Sequence, residues 1–491
     1  MFNRITSLAK HTAVYGIGDL LGRAAGLLLV PLYARQLTLE DNGIISLAYA
    51  FIGFSAVFYS LGLNPALIRL LSGQDNPTAH RTPFSSVFWT LLGISVVLSG
   101  LIALLAKPLA SSLLGNSHLS EIFYLIAAIV FFDTLSEPFF TLCRARQKSV
   151  TFAAVRLLQY TFQMGLTIYL IAWLHQGSVS VFRANLASSG FAFLVMLPLA
   201  GRTLRPTFRV QAVRDLLSFG IPFIPSTLSI LLINLSDRFL VKFYLGLDAL
   251  GIYGITYKLG LPMFFVVRAF RSAWAPSILS ISNTEEAHSV CARVTTYFAV
   301  GATFLFLIIA TYSQEWILLI AGDNAKHYLS GQNVVPLITL AYLLYGLYII
   351  LTAGVYAEKK TQMLPAIVGT GAAVNILVNL VLLPRIGLVA AAWSTLFAYA
   401  TMVVLLHLSV RRFYPVGYEY GRLAKVGVAG GVVFLTLSRY LHNTTVEGII
   451  ARAIFLLGYP LLLWGWNFFD PKEWRALLEI FRRPQNASQT R

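Results

Sequence analysis

Fourteen apolar runs of membrane-crossing length constrain what this chain can fold into more than any other feature. A helix rising 1.5 Å per residue needs about 20 residues to cross about 30 Å of hydrocarbon. Runs of that order lie at 12–33, 43–63, 84–106, 121–143, 151–174, 178–200, 216–240, 248–270, 294–312, 333–356, 363–383, 387–410, 423–441 and 448–469. In hydrocarbon every backbone N–H and C=O needs a partner within the protein, a condition a helix meets alone. The expectation is an all-α integral membrane protein. Composition agrees: 57% of the 491 residues are hydrophobic and 12% are charged, about half the roughly 25% charge of a soluble domain. The mean hydropathy is +0.72. Soluble and disordered chains are excluded. The first run follows Arg4 and Lys10 as a signal peptide would, but it exceeds the ~7–15 residues of a signal core. Asp19 and Arg23 interrupt it, so it reads as a retained helix.

The connecting segments alternate in charge. Those on the side of the N-terminus, with the C-terminal tail, carry 25 Lys and Arg, and those on the opposite side carry 7. Basic loops stay cytoplasmic, so both termini are expected in the cytoplasm. The formal charge of +17 is spread in short clusters between apolar runs and answers to topology; no nucleic-acid partner is expected. The longest loop on the sparsely charged side, about 313–332, has no room for a folded domain. Cys143 and Cys291 lie far apart and belong to no Cys cluster, so no metal site and no cofactor are expected. In the tail, Trp474, Leu477, Leu478 and Phe481 recur at helical spacing beside basic residues, as in a helix lying on the membrane surface.

A short repeat relates two halves. Leu37-Thr38-Leu39-Glu40-Asp41-Asn42-Gly43-Ile44 aligns with Leu245-Gly246-Leu247-Asp248-Ala249-Leu250-Gly251-Ile252 at an offset of 208, which also brings Tyr49 onto Tyr257. Each copy joins the first two runs of its half on the same side of the membrane. The repeat is therefore parallel, about an axis along the membrane normal, and transporters place substrate between such halves. The expected organisation is an N-terminal half over 1–200 (six helices), a basic cytoplasmic linker over 201–215, a C-terminal half over 216–410 (helices seven to twelve), two extra helices within 411–469 and a cytoplasmic tail over 470–491.

The same stretches carry a resemblance. LAKHTAVYGIGDLLGRAAGLLLVPLYARQLTLEDNGIISL resembles the start of bacterial polysaccharide flippases of the Wzx type, and SDRFLVKFYLGLDALGIYGITYKLG (236–260), followed by AWAP (273–276), resembles the opening of their second half. LTAGVYAEKKTQMLP and NILVNLVLLPRIGLVAAAWSTLFAY resemble later helices of that family. The superfamily, termed MOP, also holds the MATE drug exporters and the lipid II flippase. The resemblance implies about fourteen helices in two pseudo-symmetric halves around a central cleft. It also implies transport of an undecaprenyl-pyrophosphate-linked oligosaccharide, the O-antigen or exopolysaccharide unit, to the periplasmic leaflet by alternating access. A polysaccharide polymerase and a chain-length regulator would be the protein partners, beside the polyprenyl-linked glycan and the membrane lipids.

Charges inside the bilayer cost at least ~2.5–3.5 kcal/mol each near its centre, so each is a candidate for function. Asp19 and Arg23, four apart on the first helix, share a face and can pair. Arg23 and Lys258 fall at comparable depth near the helix middles. If both helices line the cleft, they present two cations to a pyrophosphate, Arg as a fork of donors and Lys as a point charge; the alternative is that each satisfies a buried carboxylate, Asp19 for Arg23 and a residue such as Asp133 for Lys258. Arg268 and Arg271 are expected at the cytoplasmic end of the eighth helix, as an approach to the cleft or as topology charges. Asp133 and Glu137 share one face of the fourth helix and are candidates for a coupling proton or sodium ion. Asp237 and Arg238 are adjacent, point about 100° apart and are expected to find different partners, as an interface anchor or gate. Arg156 and Arg183 are expected to reach the interface from near their helix ends. Pro222, Pro225 and Pro262 permit kinks in the seventh and eighth helices.

No Walker loop, Gly-x-Ser-x-Gly, His-Glu-x-x-His or Cys cluster occurs, and no histidine sits where a buried general base would, so a carrier that breaks no bonds is expected. Two alternatives stay open: a MATE-like cation-coupled drug exporter, which keeps the fold and changes the cargo, and a membrane polysaccharide polymerase or ligase, which would need the large periplasmic loop this chain lacks.

Overall fold

The computed structural model describes residues 26–72, 81–200, 203–281, 284–440 and 445–469. Asp19, Arg23, most of the first run and the tail helix expected within 470–491 lie outside them. Among the described residues every regular element is helical. The N-terminal half holds α1 (Val30–Gln36), α2 (Leu39–Ser60), α3 (Leu63–Ser72), α4 (Arg81–Leu104), α5 (Ser120–Ala145), α6 (Ser149–Ala172) and α7 (Val179–Ala200). The C-terminal half holds α8 (Val210–Gly220), α9 (Ile224–Leu259), α10 (Leu261–Leu279), α11 (Thr284–Thr311), α12 (Ser313–Ala321), α13 (Val334–Ala357), α14 (Leu364–Ile386) and α15 (Val389–Val410). Beyond it come α16 (Tyr420–Tyr440), α17 (Val446–Leu456) and α18 (Gly458–Gly465).

Eleven helical segments among the described residues are long and apolar enough to cross a membrane, and the protein is a multi-pass membrane protein. The described residues leave the expected fourteen unconfirmed at three places. The first run is mostly undescribed, α6 is helical over 24 residues but not among the eleven, and Val210–Leu259 counts as one segment although two helices meet within it. That segment turns at Gly246, whose φ of 88° and ψ of 179° suit a residue without Cβ. The prolines mark further breaks. Pro222 sits in a single 3-10 turn, Ile221–Phe223, Pro225 in the first turn of α9 and Pro262 in the first turn of α10. In a first turn the missing N–H costs nothing.

The repeat becomes a reciprocal contact. A Cβ added at Gly43 would stand 2.1 Å from the Leu247 carbonyl oxygen, and one at Gly251 would stand 2.0 Å from that of Leu39. Each partner is the other's image at the offset of 208. Gly254 packs on Ser46, its own image, with the hydroxyl 2.1 Å from where a Cβ would lie. A residue meeting its own copy lies on the axis relating the halves, as in an isologous interface, and small residues let the backbones approach. The α2 start that carries this contact is held by a capping box: the Thr38 hydroxyl accepts from the Asp41 N–H at 3.0 Å, and the Asp41 carboxylate accepts from the Thr38 N–H at 3.3 Å.

Further bonds between the halves gather on this same sparsely charged side. Arg35, at the end of α1, donates to the carbonyls of Leu319 (2.7 Å) and Ile320 (3.0 Å) near the end of α12. Asn324 donates back to the carbonyls of Ala34 and Arg35. Asn42 donates to the Tyr328 hydroxyl, and Lys242 donates to the carbonyl of Ser112. At the other end of the α2–α9 seam, Gly62 and Gly220 pack backbone to backbone, and Arg69 covers the Phe219 ring at 4.4 Å.

Candidate functional site

Where α1 of one half meets α9 of the other, cations and aromatic rings converge. Lys258 is half-buried, its ammonium 5.2 Å from the centre of the Tyr33 ring, and it lies in the field of Arg238. Arg238 lies over the Tyr257 ring at 4.8 Å and pairs with Asp237 at 2.9 Å. This corrects the expectation of different partners: an arginine is long enough to fold back onto its neighbour although their Cβ atoms diverge. Asp237 is fully buried and also accepts from the Tyr253 hydroxyl, while Arg238 further donates to the Asn234 carbonyl. Among the described residues no carboxylate pairs with Lys258, and Asp133, suggested as its partner, is elsewhere.

Arg268 and Arg271 are not at a helix end. α10 continues to Leu279, two turns past Arg271. Arg268 stands over the Phe264 ring at 5.6 Å and Arg271 donates to the Tyr345 hydroxyl at 3.3 Å. Both border an aromatic cluster that sequence reasoning did not single out. The Tyr257 and Tyr342 hydroxyls bond at 2.6 Å, Phe264 packs on Tyr342 at 4.9 Å, and Tyr345 packs on Tyr399 at 5.1 Å. Tyr399 donates to the Asn234 side chain. The available signal was Tyr342 and Tyr345, three apart on one apolar helix.

The carboxylates of α5 separate despite their shared spacing. Glu137 is bound by Arg144 at 2.7 Å and Arg156 at 2.8 Å, and Arg156 also covers the Phe140 ring at 3.7 Å. Arg156 thus points into the protein, correcting the expectation that it reaches the interface. Arg183 pairs with Glu121 at 2.7 Å, both about half exposed. Asp133 is exposed, yet Ser189, Arg156 and Glu137 neighbour it and Tyr49 of α2 approaches it, so its open side faces the interior of the half. Nearby, Tyr49 accepts from Asn185 at 3.4 Å and Gln163 at 3.5 Å.

A second polar centre lies in the C-terminal half. Ser236 donates to Asn375 (3.1 Å), and Asn375 and Asn379 both donate to Ser394 (3.2 and 2.7 Å). All four are buried. Two amides four apart in an otherwise apolar helix were the signal, passed over because only charges were counted. Among the described residues no group of three His, Cys, Asp or Glu could hold a metal ion.

The helical repeat, with polar groups gathered at the junction of its halves, defines a multi-pass helical membrane protein built of two parallel halves. The chain belongs to the family of polysaccharide biosynthesis proteins, whose profile residues 32–330 match. It is 22% identical over 268 residues to the succinoglycan biosynthesis transport protein ExoT of Rhizobium meliloti, an alignment covering 54% of this chain and 53% of that protein, so the chain spans about half the length of this relative. Its fold is similar to that of the lipid II flippase MurJ in an inward closed conformation, with a TM-score of 0.72 and 16% identity over 92% of this chain and 98% of that one. It is also similar to the Vibrio cholerae MATE transporter VcmN, with a TM-score of 0.58 and 15% identity over 83% and 97%.

Proposed function

We propose that this protein is a flippase that carries an undecaprenyl-pyrophosphate-linked oligosaccharide from the cytoplasmic to the periplasmic leaflet of the inner membrane for surface polysaccharide synthesis. The observation that carries the reading is the cationic junction. Lys258 and Arg238 stand together against a single buried carboxylate, Asp237. A drug cation would be repelled there, whereas a pyrophosphate supplies the missing negative charge. In this reading Arg23 adds its fork of donors. Arg268 and Arg271 draw the phosphates in, and the Tyr342, Tyr345 and Tyr399 rings offer apolar faces to sugars. The halves rock about the contacts at Gly43, Gly251 and Gly254, and the basic face is cytoplasmic. Asp133, open to the interior and not engaged by arginine as Glu137 is, is the group through which a proton or sodium ion drives the cycle.

Deleting the gene, together with those of overlapping flippases, and profiling lipid-linked oligosaccharides with a membrane-impermeant probe tests the proposal. Complete units trapped in the cytoplasmic leaflet are expected. Complete units that reach the periplasm but stay unpolymerised would point to a polymerase instead. An unchanged profile with altered drug sensitivity would point to an exporter.

A further inference from the structure

Away from the junction, on the basic face of the C-terminal half, the turn between α13 and α14 and the end of α15 border an open pocket of about 540 Å³ lined by Lys359, Lys360, Gln362, Ser409, Arg412 and Phe413. α13 ends in a Schellman-type cap. Lys359 takes a φ of 55°, a conformation that favours glycine, and the Lys360 N–H bonds to the Val355 carbonyl five residues back at 2.9 Å. The cap turns two consecutive lysines to the cavity, and Lys360 is steadied by the Phe413 ring 3.9 Å from its ammonium. α14 then starts at the cavity wall with no side chain capping its first turn. A 3-10 turn, Thr361–Met363, leads into it, the Leu364 N–H bonds to the Thr361 carbonyl and Pro365 has no N–H, so the 23-residue helix adds its positive end through the dipole alone. Among the described residues no carboxylate pairs with Lys359, Lys360 or Arg412; Glu358, at the same turn, lies in the field of Tyr414.

The parallel repeat supplies a comparison within the molecule. The equivalent turn, between α5 and α6, has the same cap: Gln147 at a φ of 55° and the Lys148 N–H on the Cys143 carbonyl at 2.9 Å. Its cavity also holds Arg146 and Lys148, but its volume is about 20 Å³, room for little more than one water. Arg146 there is occupied by the Thr203 hydroxyl at 2.9 Å. The same turn thus leaves a small pocket in one half and a wide one in the other. Topology charges need only lie on the correct side of the membrane. They need not converge on a cavity, nor share it with an uncapped helix start.

The geometry points to a phosphate-binding site at the α13–α14 turn, separate from the transport junction, of the size to hold the headgroup phosphate of an anionic membrane lipid. Lys360 and Arg412 provide charge, Ser409 and Gln362 hydrogen bonds, and the α14 N-terminus the dipole.

Native mass spectrometry of the full chain in detergent tests this, with phosphatidylglycerol, phosphatidylcholine and inorganic phosphate as probes. Phosphatidylglycerol should be retained over phosphatidylcholine. The Lys360→Gln, Arg412→Gln variant, altered at exposed positions, should lose about tenfold in retention. Arg205→Gln, Arg209→Gln removes the same charge from exposed positions of the same face and should stay within about twofold, while Lys360→Arg, Arg412→Lys should keep binding. Displacement of the lipid by millimolar inorganic phosphate would assign the site to soluble phosphate, and resistance would assign it to the lipid. Equal loss in both Gln variants, or loss in neither, would overturn the proposal.

Discussion

Replacing Gly43 or Gly251 by alanine puts the architecture to its sharpest test. The added Cβ of Gly43→Ala would meet the Leu247 oxygen at 2.1 Å, and that of Gly251→Ala the Leu39 oxygen at 2.0 Å. Ordinary contact begins near 3.4 Å, so the backbones must part by about 1.3 Å at the first site and about 1.4 Å at the second. The obstacle is main chain in both cases, which no rotamer change relieves. Overpacking of this kind costs about 1–3 kcal/mol, equivalent to a fall in Tm of a few degrees for a chain this large. Thermal unfolding in detergent should show that fall for each variant, by similar amounts because the two contacts are images of one another. Spin labels at the exposed Lys107 and Lys326, one in each half, should report a wider separation on the sparsely charged side. Unchanged stability and separation in both variants, or an effect in only one, would refute the reciprocal packing.

Other outcomes follow from individual side chains. Arg35→Ala removes two charge-assisted bonds from the end of α12; the same spin-label pair should broaden toward longer distances, with a loss of about 1–3 kcal/mol. Glu137→Gln strands Arg144 and Arg156, whose side chains are 37% and 19% exposed. Partial solvation keeps the cost on the order of 2 kcal/mol, below the 3–5 of a fully buried pair, read as a lower Tm with membrane insertion intact. Asp133→Asn should abolish the stimulation of transport by an imposed ion gradient while leaving lipid binding in place; gradient-dependent transport in that variant would remove Asp133 from coupling.

The helical plan was legible in the sequence because hydrocarbon leaves the backbone few options: the runs from the second onward fall on helices. The repeat was legible as well, since the tight crossing of α2 and α9 admits little but glycine at 43, 251 and 254. Side-chain partnerships were not. Residues four apart share a face, which put Asp133 and Glu137 together, but the arginines that claim Glu137 come from the end of α5 and from α6, positions no spacing rule reaches. Adjacent residues diverge at Cβ, which hid the Asp237–Arg238 pair. The helix breaks at Gly246 and Gly260 moved Arg268 and Arg271 inside α10, because the expected boundary followed apolarity and α10 runs on past Arg271 and Ser272 to Leu279. The tyrosine cluster and the Ser236–Asn375–Asn379–Ser394 network escaped because neither carries charge.

The central claim is transbilayer movement of a pyrophosphate-linked glycan through a cationic junction. The most direct measurement places the purified full chain in liposomes with a fluorescent polyprenyl-pyrophosphate oligosaccharide and follows the fraction reached by an impermeant quencher. Transfer well above that in protein-free liposomes is predicted, along with its loss in an Arg23→Ala, Lys258→Ala variant that still inserts and elutes as a single species. No transfer by the native protein, or undiminished transfer by that variant, would contradict the account.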